Sequence, residues 1–208
     1  MEIAILLFDD LTALDAVGPY DVLKLAPDAR VRLVADRPGP KRMNGGLVLL
    51  ADAAFDDVPR PDIVVVPGGT GAAAAARDPE VLRWLAAAHG TSRRTTSVCT
   101  GSLILGAAGI LRGLTATSHW LALDALRAFG AQPGAGRWVR DGKVVTAAGV
   151  SAGIDMALAL VALEWGEGTA QAIQLGIEYD PQPPFDAGSP AKAPAAVVER
   201  LRARAGGR

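Results

Sequence analysis

Short, nearly continuous apolar runs recur along this chain, separated by longer stretches of helical period. EIAILLF (2–8), VRLVA (31–35), DIVVVPGG (62–69), TTSVC (95–99) and VVTAAG (144–149) read as strands buried on both faces. Between them the pattern predicts helices. DPEVLRWLAAAHG (78–90) opens on Asp-Pro and stops on Gly, and SAGIDMALALVALEWG (151–166) has Ser151 as its cap; TGSLILGAAGILRG (100–113) and HWLALDALRAFG (119–130) are the other two. Strands alternating with helices imply right-handed crossovers and a parallel α/β sheet covered on both faces. GLVLLA (46–51) and RWVRDGKVV (137–145) add hairpin or edge strands, the latter around an Asp141-Gly142 turn.

No repeat of fixed period and no linker divides the chain, so residues 1–208 are expected to form one domain. EYDPQPPFDAGSP (178–190), with four prolines, cannot be helix or central strand and is expected as an extended arm over the surface, followed by a C-terminal helix. A formal net charge of −1 offers no basic face for phosphate contacts, which argues against nucleic acid as a partner. The one basic run, ERLRARAGGR (199–208), reads as a solvated helix face and tail. The apolar part of MEIAILLFDD is too short to span a membrane and lacks the charge pattern of a signal peptide. One cysteine cannot form an internal disulfide, and a reactive thiol suits a reducing compartment, so a cytoplasmic location is expected. With two histidines beside that cysteine, no spacing resembles a zinc site, and no metal is expected.

Cys99, the only cysteine, stands where a β-prone run breaks into a Gly- and Ala-rich helical stretch. A side chain on such a turn projects at the carboxyl edge of the sheet, and the first N–H groups of the next helix point at it. Those groups and the helix dipole are expected to favour the thiolate; the plainer reading is a small buried hydrophobe. The turn Pro67-Gly68-Gly69-Thr70-Gly71 follows another buried strand, and the N–H groups of Gly69 and Thr100 would together make an oxyanion-hole-like pocket beside the sulfur. A tight turn that needs positive φ explains the same glycines. Asp15 lies after the first strand. If Pro19 occupies the first helical position, Gly18 is the cap and Asp15 sits in the preceding loop at the same sheet edge, able to exchange a proton with a substrate. His119 is either an orienting imidazole or a buried hydrogen-bonded histidine; His89 suits a helix end; Asp9 and Asp10 read as turn formers.

LDAVGPYDV around Asp15, VVPGGTG (65–71), SVCTGSLILGAAGIL (97–111), ATSHW (116–120), AGVSAGIDMAL (148–158) and the proline-rich arm together resemble the DJ-1/PfpI superfamily over nearly the full length. Asp15, where many relatives carry glutamate, with Thr100 and the arm, favours the branch that hydrates isocyanides. The resemblance implies a flavodoxin-like fold, a homodimer, no cofactor, and a small isocyanide as substrate. It also implies Cys99 as nucleophile, Asp15 as general acid/base and Thr100 as a supporting hydroxyl. Gly69, Thr70, Gly149 and Val150 would line the substrate site, with His119 peripheral. Val150 stands where a larger aliphatic side chain is expected. Two alternatives remain at this level: glyoxalase or deglycase chemistry on 2-oxoaldehydes, and a non-catalytic sensor like the amino-terminal half of AraC-type regulators, although no helix-turn-helix region of roughly 100 residues follows before Arg208.

Overall fold

β-branched and leucine side chains at consecutive positions make Glu2–Leu6 (β1), Ile63–Val66 (β6) and Arg94–Val98 (β7) strands with both faces covered, and almost every residue in them is buried. The computed structural model describes residues 1–206. In chain order, β1 is followed by α1 (Ala13–Leu23), β2 (Arg30–Ala35), β3 (Gly39–Arg42), β4 (Val48–Ala51), β5 (Ala53–Ala54), β6, α2 (Ala72–Ala75), α3 (Pro79–Thr91) and β7. Then come α4 (Gly101–Ala107), β8 (Thr115–Ala116), a 3₁₀ segment at Leu123–Phe129, β9 (Gln132–Pro133), β10 (Trp138–Asp141), β11 (Val144–Ala147), α5 (Ala152–Trp165), α6 (Glu167–Gly176) and α7 (Ala195–Gly206). The chain divides into two compact units, Met1–Ile177 and Glu178–Arg208. The second unit holds the proline-rich segment and α7; Gly207 and Arg208, the end of the basic run, lie outside the described residues.

The central sheet has the order β10-β11-β7-β6-β1-β2-β5 and is parallel except for β10, which pairs antiparallel with β11 through the turn after Asp141. This is the α/β architecture that the alternating pattern implies. β3 and β4 form a separate antiparallel pair, and β8 and β9 a short parallel one. Among the described residues, no helix is long and apolar enough to cross a membrane.

Helix boundaries depart from the sequence pattern for local reasons. Asp78 caps α3, its side chain accepting the N–H of Glu80 at 2.8 Å, with Pro79 at the first position, as the Asp-Pro signal implies. The stretch expected as helix to residue 113 is helical only to Ala107, because Gly109 takes a φ of 77° and Ile110 N–H turns back to the carbonyl of Leu105. Within the stretch 119–130, expected as a helix, only Leu123–Phe129 is helical, and it is 3₁₀ rather than α, a distinction that apolar periodicity over so few residues does not make.

α1 is the correction that matters for function. It begins after Thr12, not Gly18, with Asp15 N–H donating to the Thr12 carbonyl at 2.9 Å, so Asp15 lies in the first turn of a helix and Pro19 lies inside it. Gly18 is not a cap. A Cβ there would stand 3.1 Å from Ile154 Cγ1, so its lack of a side chain lets α1 pack closely on α5.

Candidate active site

Four neighbouring strands, β1, β6, β7 and β11, end at one edge of the sheet, and each is followed by a segment that carries part of the site. This is the edge at which ligands gather in an open parallel sheet. After β7 the chain turns sharply at Cys99, whose φ is 58° and whose N–H is shared between the carbonyls of Ala147 and Ala148 at 3.1 and 3.0 Å. A non-glycine residue in the left-handed region costs on the order of 1–3 kcal/mol and persists only where its surroundings hold it. Here the Cys99 carbonyl accepts the hydroxyls of Ser102 and Ser118, each at 3.1 Å. The strand-to-helix elbow expected from sequence is therefore present, and two serines that sequence reasoning passed over secure it.

The turn after β6 comes up against this elbow with no room for side chains. A Cβ on Gly68 would lie 2.4 Å from the backbone nitrogen of Thr100, and one on Gly101 would lie 2.0 Å from the Val66 carbonyl oxygen. The close approach lets Gly68 N–H donate to Asp15 Oδ2 at 2.9 Å. Gly69 N–H donates to Thr100 Oγ1 at 2.9 Å, and the Thr100 hydroxyl lies 3.2 Å from the Gly69 carbonyl. Gly69 N–H is thus already occupied, and the oxyanion pair expected from Gly69 and Thr100 does not form. The backbone groups that act on the thiol are the N–H groups of Thr100 and Val150, joined by the Thr100 hydroxyl. Thr70 turns away, its hydroxyl donating to the Asp10 carbonyl at 3.3 Å.

Val150 follows β11 with a φ of 24°, a strained value for a β-branched residue. Gly149 beside it lies against His119, since a Cβ there would stand 2.7 Å from the imidazole Cδ2. His119 therefore supports the connection between β11 and α5, and burial lowers its pKa and keeps the ring neutral. His89 lies in the last turn of α3, at the opposite end of β7 from Cys99, bonded through Nδ1 to Thr95 Oγ1 at 2.8 Å. Burial and the nearby Lys143 lower its pKa, so it does not serve the helix end as a cation. Asp9 accepts the Arg42 N–H at 2.8 Å and Asp10 has a φ of 61°, both in turn roles.

The electrostatics of the centre reverse the expectation of a ready thiolate. Burial, then the negative charge of Asp15, push the Cys99 thiol up to about 12, against the smaller help of the Thr100 and Val150 N–H groups. α4 spans Gly101–Ala107, too short a helix to supply a large dipole. Asp15 is fully buried, and burial raises its pKa to about 7 despite the Gly68 N–H and the Cys99 thiol, which both favour the carboxylate. Its Oδ1 has no well-formed hydrogen bond, and the Cys99 thiol is the side chain acting on this carboxyl. Near neutral pH an ionised Asp15 carboxylate therefore lies beside a protonated Cys99 thiol, an arrangement able to pass a proton between the two.

A cleft of about 410 Å³ opens beside the elbow, lined by Gly69, Thr70, Arg77 and Thr100 and by apolar groups that include Leu103, Ala107 and Phe129. A larger cavity of about 500 Å³, floored by the stacked rings of Phe55 and Trp84, shares no residue with the site. Among the described residues no cluster of His, Cys, Asp and Glu is arranged to hold a metal ion.

The chain is similar to several known proteins. The isonitrile hydratase of Pseudomonas putida is 46% identical over 205 residues, spanning 99% of this chain and 90% of that protein. The crystal structure of a THiJ/PfpI family protein from Pseudomonas syringae superimposes with a TM-score of 0.95 at 42% identity, over 97% of this chain and 84% of that one. The HTH-type transcriptional regulator GbdR of Pseudomonas aeruginosa is 34% identical over 139 residues, 65% of this chain but 37% of the regulator. The DJ-1/PfpI family model matches residues 1–163, which contain every side chain placed at the site, and the chain belongs to that family.

Proposed function

We propose that this protein is an isonitrile hydratase, converting an organic isocyanide and water to the N-substituted formamide. The observation that carries the reading is the buried Cys99–Asp15 pair, in a chain 46% identical over nearly its whole length to a hydratase of that name. An isocyanide is weakly electrophilic at its terminal carbon and needs a proton there as the nucleophile adds. Asp15 takes the Cys99 proton, Sγ bonds to the terminal carbon, and the same proton passes from Asp15 to that carbon, leaving R–N=CH–S–Cys99. Water then adds to the carbon. Asp15 moves a proton from the water to the nitrogen, the C–S bond breaks, and the hydroxyl proton returns to sulfur as R–NH–CHO leaves. The protons balance and no external acid is consumed. Incubating purified protein with an aryl isocyanide at neutral pH should yield the formamide catalytically; no turnover with Cys99 shown to be reduced would overturn the reading.

The cleft lined by Leu103, Ala107 and Phe129 suits the substituent of such a substrate, which is apolar beyond its reacting end. Replacing Leu103 by tryptophan is expected to lower the kcat/KM for an aryl isocyanide, relative to that for methyl isocyanide, by about tenfold or more. An unchanged ratio would place the substituent elsewhere.

The reading includes a homodimer and a cytoplasmic location. The exposed apolar side chains of Leu47, Val48 and Leu50 around β4, and of Leu14 on α1, support a covering partner copy. A thiol that must stay reduced supports the compartment. Sedimentation at micromolar concentration should give twice the mass of the chain, and a monomer would remove the dimer from the proposal.

A further inference from the structure

The connection from β11 to α5, Ala148 to Ser151, serves the nucleophile twice: the Ala148 carbonyl accepts the Cys99 N–H at 3.0 Å, and the Val150 N–H faces the sulfur. Its central residue does so at a φ of 24°, which a β-branched side chain does not adopt unless held there. On one side the His119 ring fills the space under Gly149. On the other, one residue grips both ends. The carbonyl of Arg137 accepts the Ala148 N–H at 2.8 Å, while its guanidinium donates to Ser151 Oγ at 3.2 Å and pairs with Asp155 in the first turn of α5.

The clip also explains a feature of α5. Ser151 occupies the cap position expected from sequence, yet its hydroxyl makes no bond to the helix N–H groups and is held by Arg137 instead. A serine in that position ordinarily accepts from the second or third helical N–H. The first turn of α5 is therefore tied to the start of β10, and the strained residue lies between the two ties.

We propose that Arg137 is a positioning residue of the active site, whose clip on Ala148, Ser151 and Asp155 holds Val150 so that its N–H points at Cys99 Sγ. Arg137 touches neither substrate nor sulfur; it acts through the backbone of Val150. The proposal rests on Cys99 as nucleophile and is independent of which electrophile it attacks. The remaining titratable groups at the connection are Asp15, across the sulfur, and His119, against Gly149.

The test is the rate of Cys99 alkylation by iodoacetamide as a function of pH, which needs no substrate and reads the only cysteine of the chain. Arg137→Gln is expected to slow alkylation at pH 8 by roughly three- to tenfold, the loss of about one hydrogen bond to the reacting sulfur, and to move the profile to higher pH. Arg137→Lys should recover part of the rate. Asp155→Asn separates the clip from simple charge: removing an acid near the site would by itself favour the thiolate and speed alkylation, whereas loosening the clip slows it. In a Val150→Gly background, where glycine adopts the same φ without strain, the Arg137→Gln effect should shrink. Identical profiles for parent and Arg137→Gln, faster alkylation in Asp155→Asn, or an undiminished effect in the glycine background would each overturn the proposal. Should Arg137→Gln fail to fold, Asp155→Asn carries the same decision. Absence of isocyanide turnover in the parent would count against the hydratase reading alone.

Discussion

Cys99→Ala is expected to abolish conversion of an aryl isocyanide to its formamide, with kcat falling on the order of 10⁴-fold or more. The size follows from the chemistry. Without sulfur no covalent thioimidate forms, and no second cysteine exists to replace it. The remaining groups, Asp15 and the Thr100 and Val150 N–H donors, would have to activate water directly against an electrophile that reacts poorly with water. Alanine preserves the Cβ and keeps the strain of a 58° φ at the elbow, so the variant should fold as the parent does. Formamide production by Cys99→Ala within tenfold of the parent, measured by absorbance on identical protein concentrations, would remove the covalent mechanism.

Asp15→Asn should lose nearly all turnover, by a factor of about 10²–10⁴, and at the same time become more stable than the parent. The amide can still accept the Gly68 N–H that reaches Oδ2 at 2.9 Å, but it cannot take the thiol proton. In the unfolded chain Asp15 ionises near 3.8, whereas in the native protein burial holds its proton until about pH 7. Stability contributed by the protonated form is complete below pH 3.8 and is lost as pH rises through 7. The loss is about 4 kcal/mol for a fully buried group with this shift. The asparagine variant escapes it. Its melting temperature should exceed the parent's by roughly 10 °C at pH 8, with a much smaller gap at pH 4. An equal gap at both pH values would show that the buried charge is not the cause. The same ionisation sets the acid limb of kcat/KM in the parent, which should rise through pH about 7 as the pair loses its first proton.

A buried carboxyl that is destabilising when ionised, beside a thiol held up near 12, suits proton transfer rather than a standing thiolate. That suits an electrophile that needs a proton on carbon as the nucleophile arrives. It also leaves Cys99 a thiol at rest, less open to adventitious oxidation than an exposed thiolate.

Much of this was legible in the residues. The buried runs at 2–8, 62–69, 95–99 and 144–149 became β1, β6, β7 and β11, because uninterrupted apolar, β-branched segments have few other ways to be covered. The Cys99 elbow followed from a strand ending at Val98 and helix-forming residues starting at Gly101, both local signals. Asp15 stands out in the sequence, but its local pattern places it in a loop, whereas it lies in the first turn of α1. Pro19 reads as a first helical position in the sequence, whereas α1 starts after Thr12 and packs against α5, where a Cβ on Gly18 would stand 3.1 Å from Ile154 Cγ1, a residue 136 positions away along the chain. Ser102, Ser118 and Arg137 carried no local signal, since a hydroxyl or guanidinium announces its partner only once the chain has folded.

The sequence by itself determined the α/β class, the strands that carry the site and the place of its one thiol at the end of a strand, because these depend on periodicity and on turn chemistry within a few residues. Only the tertiary structure decided the protonation of that thiol and its partner. Whether Cys99 is thiolate or thiol depends on how much water is excluded, on where the Asp15 charge lies, and on which N–H groups reach the sulfur. Each of these is set by segments from four different strands meeting at one edge.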